Sequence, residues 1–268
     1  MTWWCAATNQ PWNWAWRAYP GVWLFVALLV VAGGLHLRRT FEREAARAEP
    51  VAPGRAGRVA AFAAGALFTW LALDWPIGTL GGGYLMAAHT VQYVVLTFLA
   101  APLLLVGLAR APGEGARLPG VNALVSLALY NGIVAATHVP ALTDAMMRSQ
   151  WGAALVDLAW LAGGIVLWWP ALHPDPARRL GPPLRMGYLF ASTLLPTLPA
   201  ALLMFSDYPY YGVYELAPRA FGLSAHQDQQ LAGLIMKVIG DPIVWLSTAF
   251  IFFRWQAASE RDEAASGD

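Results

Sequence analysis

A small set of polar side chains in an otherwise apolar sequence could do chemistry. His89, Gln92 and Tyr93 sit in "MAAHTVQYVV" (Met86 to Val95), His138 ends "LVSLALYNGIVAATH", Asp157 lies in "ALVDLAWLAGG", and His226 and Asp228 lie in "SAHQDQQLAGLIMK". Residues three and four apart on a helix share a face, so Met86, His89 and Tyr93 form one stripe with Gln92 beside it. A thioether and an imidazole on one face suit a soft or borderline metal such as copper, and a carboxylate at Asp157 can complete or neutralise such a site. The candidate metal set is therefore His89, His138, Asp157 and His226. The competing reading makes His89 and His138 interfacial histidines bonded to carbonyls or water. On that reading Met86, Met146, Met147 and Met236 are packing residues, methionine being a common gap filler.

Lys237 is the only lysine in the chain, and Asp241 follows it at i+4. An isolated charge inside a membrane is costly, so this spacing predicts an internal ion pair, with a contact to Asp157 as the alternative. Pro242 removes a backbone donor and predicts a kink at Gly240-Asp241-Pro242. Asp144 and Arg148 read as solvated or helix-end charges.

The elements that must position these groups follow from composition. Hydrophobic residues make up 58% of the 268 and charged residues only 12%, far from a soluble average of about 25% charged. Spanning a hydrocarbon core takes about 20 apolar residues. Seven windows qualify, near 20–38, 57–75, 84–108, 120–139, 151–172, 186–206 and 229–253. Pro- and Gly-rich breaks such as "DWPIGTLGGG" and "APGEGARLPG" separate them. The expected fold is an all-α membrane protein, a bundle of seven transmembrane helices in one domain over 1–256, with 257–268 a disordered cytoplasmic tail.

Arginine placement sets the expected direction, because Lys and Arg in short loops stay cytoplasmic. The segments after windows one, three, five and seven carry Arg38, Arg39, Arg43, Arg47, Arg55, Arg58, Arg110, Arg117, Arg178, Arg179, Arg185, Arg254 and Arg261. The other face carries Arg17, Arg148 and Arg219, which predicts the amino terminus outside and the carboxyl terminus in the cytoplasm. Trp3, Trp4, Trp12, Trp14, Trp16, Trp75 and Trp151 are expected in an outer aromatic belt, and Trp168 and Trp169 at the inner interface. This topology brings His89, His138, Asp157 and His226 to one outer level.

Other chemistries find little support. The single cysteine, Cys5, excludes an internal disulfide framework. A net charge of +1 gives no bulk attraction for nucleic acid. "GGGYL" lacks the strand and helix context of a dinucleotide fingerprint. The amino end lacks the pattern of a cleaved signal peptide and is expected to be retained.

Several stretches together resemble the CtaG family of polytopic cytochrome c oxidase assembly proteins, the kind found with caa-type oxidases. They are "AHTVQYVVLTFLAAPLLLVG" (Ala88 to Gly107), "THVPALTDAMMRS" (Thr137 to Ser149), "ALVDLAWLAGGIVLWWP" (Ala154 to Pro170), "GYLFASTLLPTLPAALLMFSDYPYY" (Gly187 to Tyr211) and "DQQLAGLIMKVIGD" (Asp228 to Asp241). His89 and Gln92 match the family's His-x-x-Gln-His pattern, with Tyr93 in place of its second histidine. His138 and Pro140 match a His-x-Pro. Val156 and Asp157 stand where the family usually has an acidic residue followed by histidine, and Asp228, Gln229 and Gln230 match its acidic-glutamine-glutamine run. The resemblance implies a non-enzymatic membrane factor in the bacterial plasma (inner) membrane. It would mature a haem-copper oxidase by contact with an oxidase subunit or another copper protein, and by handling copper on the outer side.

Two alternatives stay open. His89 and His138 opposite His36 and His173 could ligate two b-type haems of an electron carrier. Lys237 and Asp241 could serve a proton-coupled transporter, against which no inverted repeat is visible.

Overall fold

In the computed structural model, six helices among the described residues are long and apolar enough to cross a bilayer, and a bent pair makes a seventh when counted as one span. The structure describes residues 2–46, 54–109, 120–173 and 178–266, which are mostly helical and contain no strand. Arg47, Arg110 and Arg117 lie outside the described residues. In chain order the helices are α1 (Pro20–Ala46), α2 (Arg55–Leu73), the short α3 (Ile77–Gly83), α4 (Met86–Gly107) and α5 (Ala123–Thr137). After them come α6 (Pro140–Met147), α7 (Gln150–Leu172), α8 (Pro182–Phe205), the one-turn α9 (Gly212–Glu215) and α10 (Ala225–Glu263). The seven expected windows correspond to α1, α2, α4, the α5–α6 pair, α7, α8 and α10. The stretch from 257, expected as a frayed tail, continues helical through Ser266.

Local sequence explains the boundaries. Asn122 caps α5 by accepting from the Leu124 N–H at 2.8 Å, and Ser149 caps α7 by accepting from Gly152 at 3.0 Å. Ser224 and Gln227 form a reciprocal capping box at the start of α10. The fourth window is not one straight helix, because α5 and α6 meet at 74°. Pro140 occupies the first turn of α6 and forces Val139 out of helical geometry, to φ −77 and ψ 114. His138 therefore closes α5 inside a bend.

The central helix is α4, the span most buried inside the bundle. Its neighbours approach closely through glycine: a Cβ on Gly65 of α2 would lie 2.8 Å from the Leu104 nitrogen, and one on Gly164 of α7 would lie 2.7 Å from the Thr97 carbonyl. Small residues are how membrane helices gain backbone-level packing where no hydrophobic force drives association.

Two π-segments interrupt the spans, Val95–Ala100 in α4 and Met236–Gly240 in α10. Each ends two residues before a proline. The Ala101 N–H bonds to Leu96 O and the Asp241 N–H to Met236 O, a spacing of five in both. The next carbonyl in line, Thr97, would need an N–H that Pro102 lacks, and Trp168 of α7 supplies one from Nε1 at 3.0 Å. Trp168, expected at an interface, is therefore a core residue, 3% exposed. The expected kink at Pro242 takes the form of the second π-segment, whose Gly240 packs near Val94 and Phe98 of α4.

One end of the bundle is crossed by the non-helical residues 2–19. Trp3 and Trp4 donate their N–H groups to Gln150 Oε1 at 2.6 and 3.2 Å, and Ala7 donates to the Met147 carbonyl at 3.0 Å. Trp14, Trp16 and Trp151 are exposed as an aromatic belt requires, but Trp4 is buried. Cys5 is buried beside it, and desolvation raises its thiol well above the ordinary range, so it remains a protonated packing residue.

Candidate functional site

The site is built around the start of α4. Leu85 precedes that helix and offers no side-chain cap, so its first N–H groups need acceptors from elsewhere. Asp228 of α10 provides them, its two carboxylate oxygens accepting from Met86 at 2.7 Å and Ala87 at 3.0 Å. A buried carboxylate at a helix N-terminus is favoured by the axial dipole. Gln229 takes the Tyr210 N–H at 2.7 Å and donates to the Tyr208 carbonyl at 3.2 Å, while Gln230 donates to Met204 O. The Asp-Gln-Gln run thus anchors α10 to three other parts of the chain, and it fixes where Met86 and His89 stand.

Met86, His89 and Tyr93 then face a cavity of about 20 Å³, lined also by His138, Trp160, Tyr211, Tyr214 and Met236. That is room for one water-sized occupant. The His89 ring stacks 4.5 Å from Trp160 and 5.6 Å from Tyr214, and it is 5% exposed. Neither of its ring nitrogens makes a well-formed hydrogen bond, and Gln92, one turn along α4, is the polar side chain that interacts with it. His138 is oriented differently: its Nδ1 lies 2.7 Å from the Val134 carbonyl. A carbonyl can only accept, so Nδ1 carries the proton and Nε2 keeps the lone pair.

The surrounding polar groups are occupied. Thr143 donates to Thr137 O at 2.8 Å, and Trp160 Nε1 donates to Thr137 Oγ1 at 3.2 Å. Tyr211 donates to the His138 carbonyl at 3.1 Å and Tyr214 to Gly81 O at 2.7 Å. Burial raises both phenols above their ordinary range, so they line the cavity as neutral donors. Asp144 holds the Tyr211 loop by accepting from Gly212 and Val213, both at 3.0 Å, and is a structural cap.

Of the four residues expected as a metal site, the structure brings two together. His89 and His138 share the cavity. Asp157 turns to the amino-terminal segment, accepting from Trp4 Nε1 at 2.8 Å. His226 Nε2 lies 2.7 Å from the Ser206 carbonyl, at the start of α10. Among the described residues no three His, Cys, Asp or Glu side chains gather into a group that could hold a metal ion, so any such site here would need other donors. Asp157 and His226 do not line the cavity, and each is bonded to a neighbour of its own. Sequence spacing missed Met236, which reaches the cavity from the π-segment of α10 and had no signal of its own. Lys237 pairs with Asp241 as its spacing predicted, and also donates to Thr197 Oγ1 at 2.8 Å rather than reaching Asp157.

A family model described as cytochrome c oxidase caa3 assembly factor (Caa3_CtaG) matches residues 31–258. The chain belongs to this family. No curated protein and no solved structure gave a match. The match to the caa3 assembly factors covers α2 to α9 and most of α1 and α10. It includes every residue of the cavity and the Asp-Gln-Gln anchor, and it leaves out the amino-terminal segment that carries Trp4.

Proposed function

We propose that this caa3 assembly factor works without turnover chemistry, by holding one copper(I) ion between His89, His138, Met86 and Met236 and passing it to an oxidase subunit. The observation that carries this reading is His89: a 5%-exposed imidazole with neither nitrogen in a well-formed hydrogen bond, in a cavity that also receives a second imidazole. Leaving a buried polar group without a partner costs about 1–3 kcal/mol, which a ligand would recover. Two imidazoles and two thioethers are soft, neutral donors, the set that favours a monovalent soft cation over a hard divalent one. No carboxylate lines this cavity, which supports the same oxidation state. The Val134 carbonyl on His138 Nδ1 is the kind of outer partner that fixes the tautomer of a metal-binding histidine. Arginine placement in the sequence supports an outer position for this end of the bundle, from which copper would pass to a client on that side.

The test is copper(I) content of anaerobically loaded, washed protein. The native chain should retain about one equivalent, His89→Leu and His138→Leu should lose it, and Met86→Leu and Met236→Leu should weaken it. Helical circular dichroism must be unchanged in each. Equal metal in native and both histidine variants would overturn the copper reading and leave action by contact alone.

A further inference from the structure

The arginine-bearing end of α1 and α2 holds a second feature that the copper reading does not use. A groove of about 560 Å³ runs between these helices, within the size range of sites that take small molecules. Its length is apolar, formed by Val30, Gly34, Leu37, Val59 and Phe62. Its mouth carries Arg38 and Arg55 with one carboxylate, Glu42. A helix rises about 1.5 Å per residue, so a span starting at Pro20 crosses a hydrocarbon core of about 30 Å close to Arg38 and Arg39. The groove therefore lies at acyl-chain depth and its mouth at headgroup depth.

We infer that this groove binds one anionic phospholipid, with an acyl chain between α1 and α2 and its phosphate on Arg38 and Arg55. Charge is the argument for this occupant. The Arg38–Glu42 pair is highly exposed, so it is weak and open to exchange with a phosphate. Arg55 makes a 3.3 Å bond to Phe41 O and lies 5.4 Å over the Phe41 ring, which points its guanidinium along the mouth. On the flank of α1 a second pocket carries Arg39 and Arg43, and neither pairs with a carboxylate among the described residues. Basic pockets between membrane helices at the headgroup level recognise acidic lipids through this combination of charge and apolar depth.

The experiment titrates delipidated native protein in detergent with phosphatidylglycerol and with phosphatidylcholine of identical chains, reading bound lipid by native mass spectrometry. Native protein should prefer phosphatidylglycerol by at least tenfold. Each arginine near a membrane surface contributes about fivefold, so Arg38→Gln should lose about that much and Arg38→Gln with Arg55→Gln should lose the preference. Glu42→Gln should strengthen it. Gly34 has nothing within 4 Å of an added Cβ and lines the groove, so Gly34→Leu should occupy part of it and weaken both lipids. Equal binding of the two lipids by native protein would overturn the inference. So would discrimination that survives the double arginine variant, or displacement of phosphatidylglycerol by millimolar inorganic phosphate.

Discussion

Arg58 and Glu44, near the end of α1, are each 7% exposed, and His89, near the opposite end of the bundle, is 5% exposed. Burial is equal; bonding is not. Arg58 donates through Nη2 to both Glu44 oxygens, at 2.7 and 2.5 Å, and through Nη1 to the Ala109 carbonyl at 3.0 Å, with Phe41 packed 4.7 Å beneath its guanidinium. His89 has aromatic rings against it, Gln92 beside it, and no well-formed hydrogen bond at either nitrogen. Arg58, whose Nε alone lacks a partner, is tied to two other parts of the chain, whereas both His89 nitrogens lack a well-formed bond, which is what the proposed ligand role rests on. The contrast is the one that the proposed function depends on.

The comparison can be broken most directly at the bonded end. Removing one member of a buried ion pair strands the other, a cost of about 3–5 kcal/mol, so Arg58→Met should lower the thermal stability in detergent more than any other change considered. The copper content of whatever remains folded should not change. A variant as stable as the native chain would show that the pair contributes nothing. Asp228→Ala should come next, at about 2–3 kcal/mol, because two buried N–H groups lose a charged acceptor. This change should also weaken metal binding, since the same bonds place Met86 and His89.

Trp168→Phe keeps the ring but orphans the Thr97 carbonyl, with an expected loss of about 1–2 kcal/mol and no effect on copper. A copper defect there would mean that the π-segment of α4 transmits strain to the cavity. The smallest stability effect should be that of His89→Leu. It removes unpartnered polar atoms and should leave the melting temperature unchanged or slightly raised while abolishing copper(I) retention. A large destabilisation by His89→Leu would place His89 with Arg58, as a structural residue.

Much of the fold was legible in the sequence because lipid allows few solutions. Apolar runs of about 20 residues must be helices, and seven windows fell on the observed spans. The Lys237–Asp241 pair was legible for the same reason, since a lone ammonium has no alternative but a neighbour within reach. The site was only half legible. His89, Met86 and Tyr93 share a face by helical arithmetic, and that stripe does line the cavity. Depth along the span assigned Asp157 and His226 to the expected level of the histidines but could not say which way they turn. Trp4 and the Ser206 carbonyl decided that, one from a non-helical segment and the other from the end of a different helix.

The amino-acid sequence by itself determined a helical membrane bundle, its approximate spans and the family to which the chain belongs. Those follow from hydropathy, punctuation and local motifs, all short-range in the chain. The tertiary structure alone decided that His138 closes a helix inside a bend, that Met236 joins Met86 at the cavity, and that Asp228 caps a helix 141 to 142 residues away. These depend on packing between helices, where the rotation of each about its own axis is set by contacts that sequence spacing does not encode.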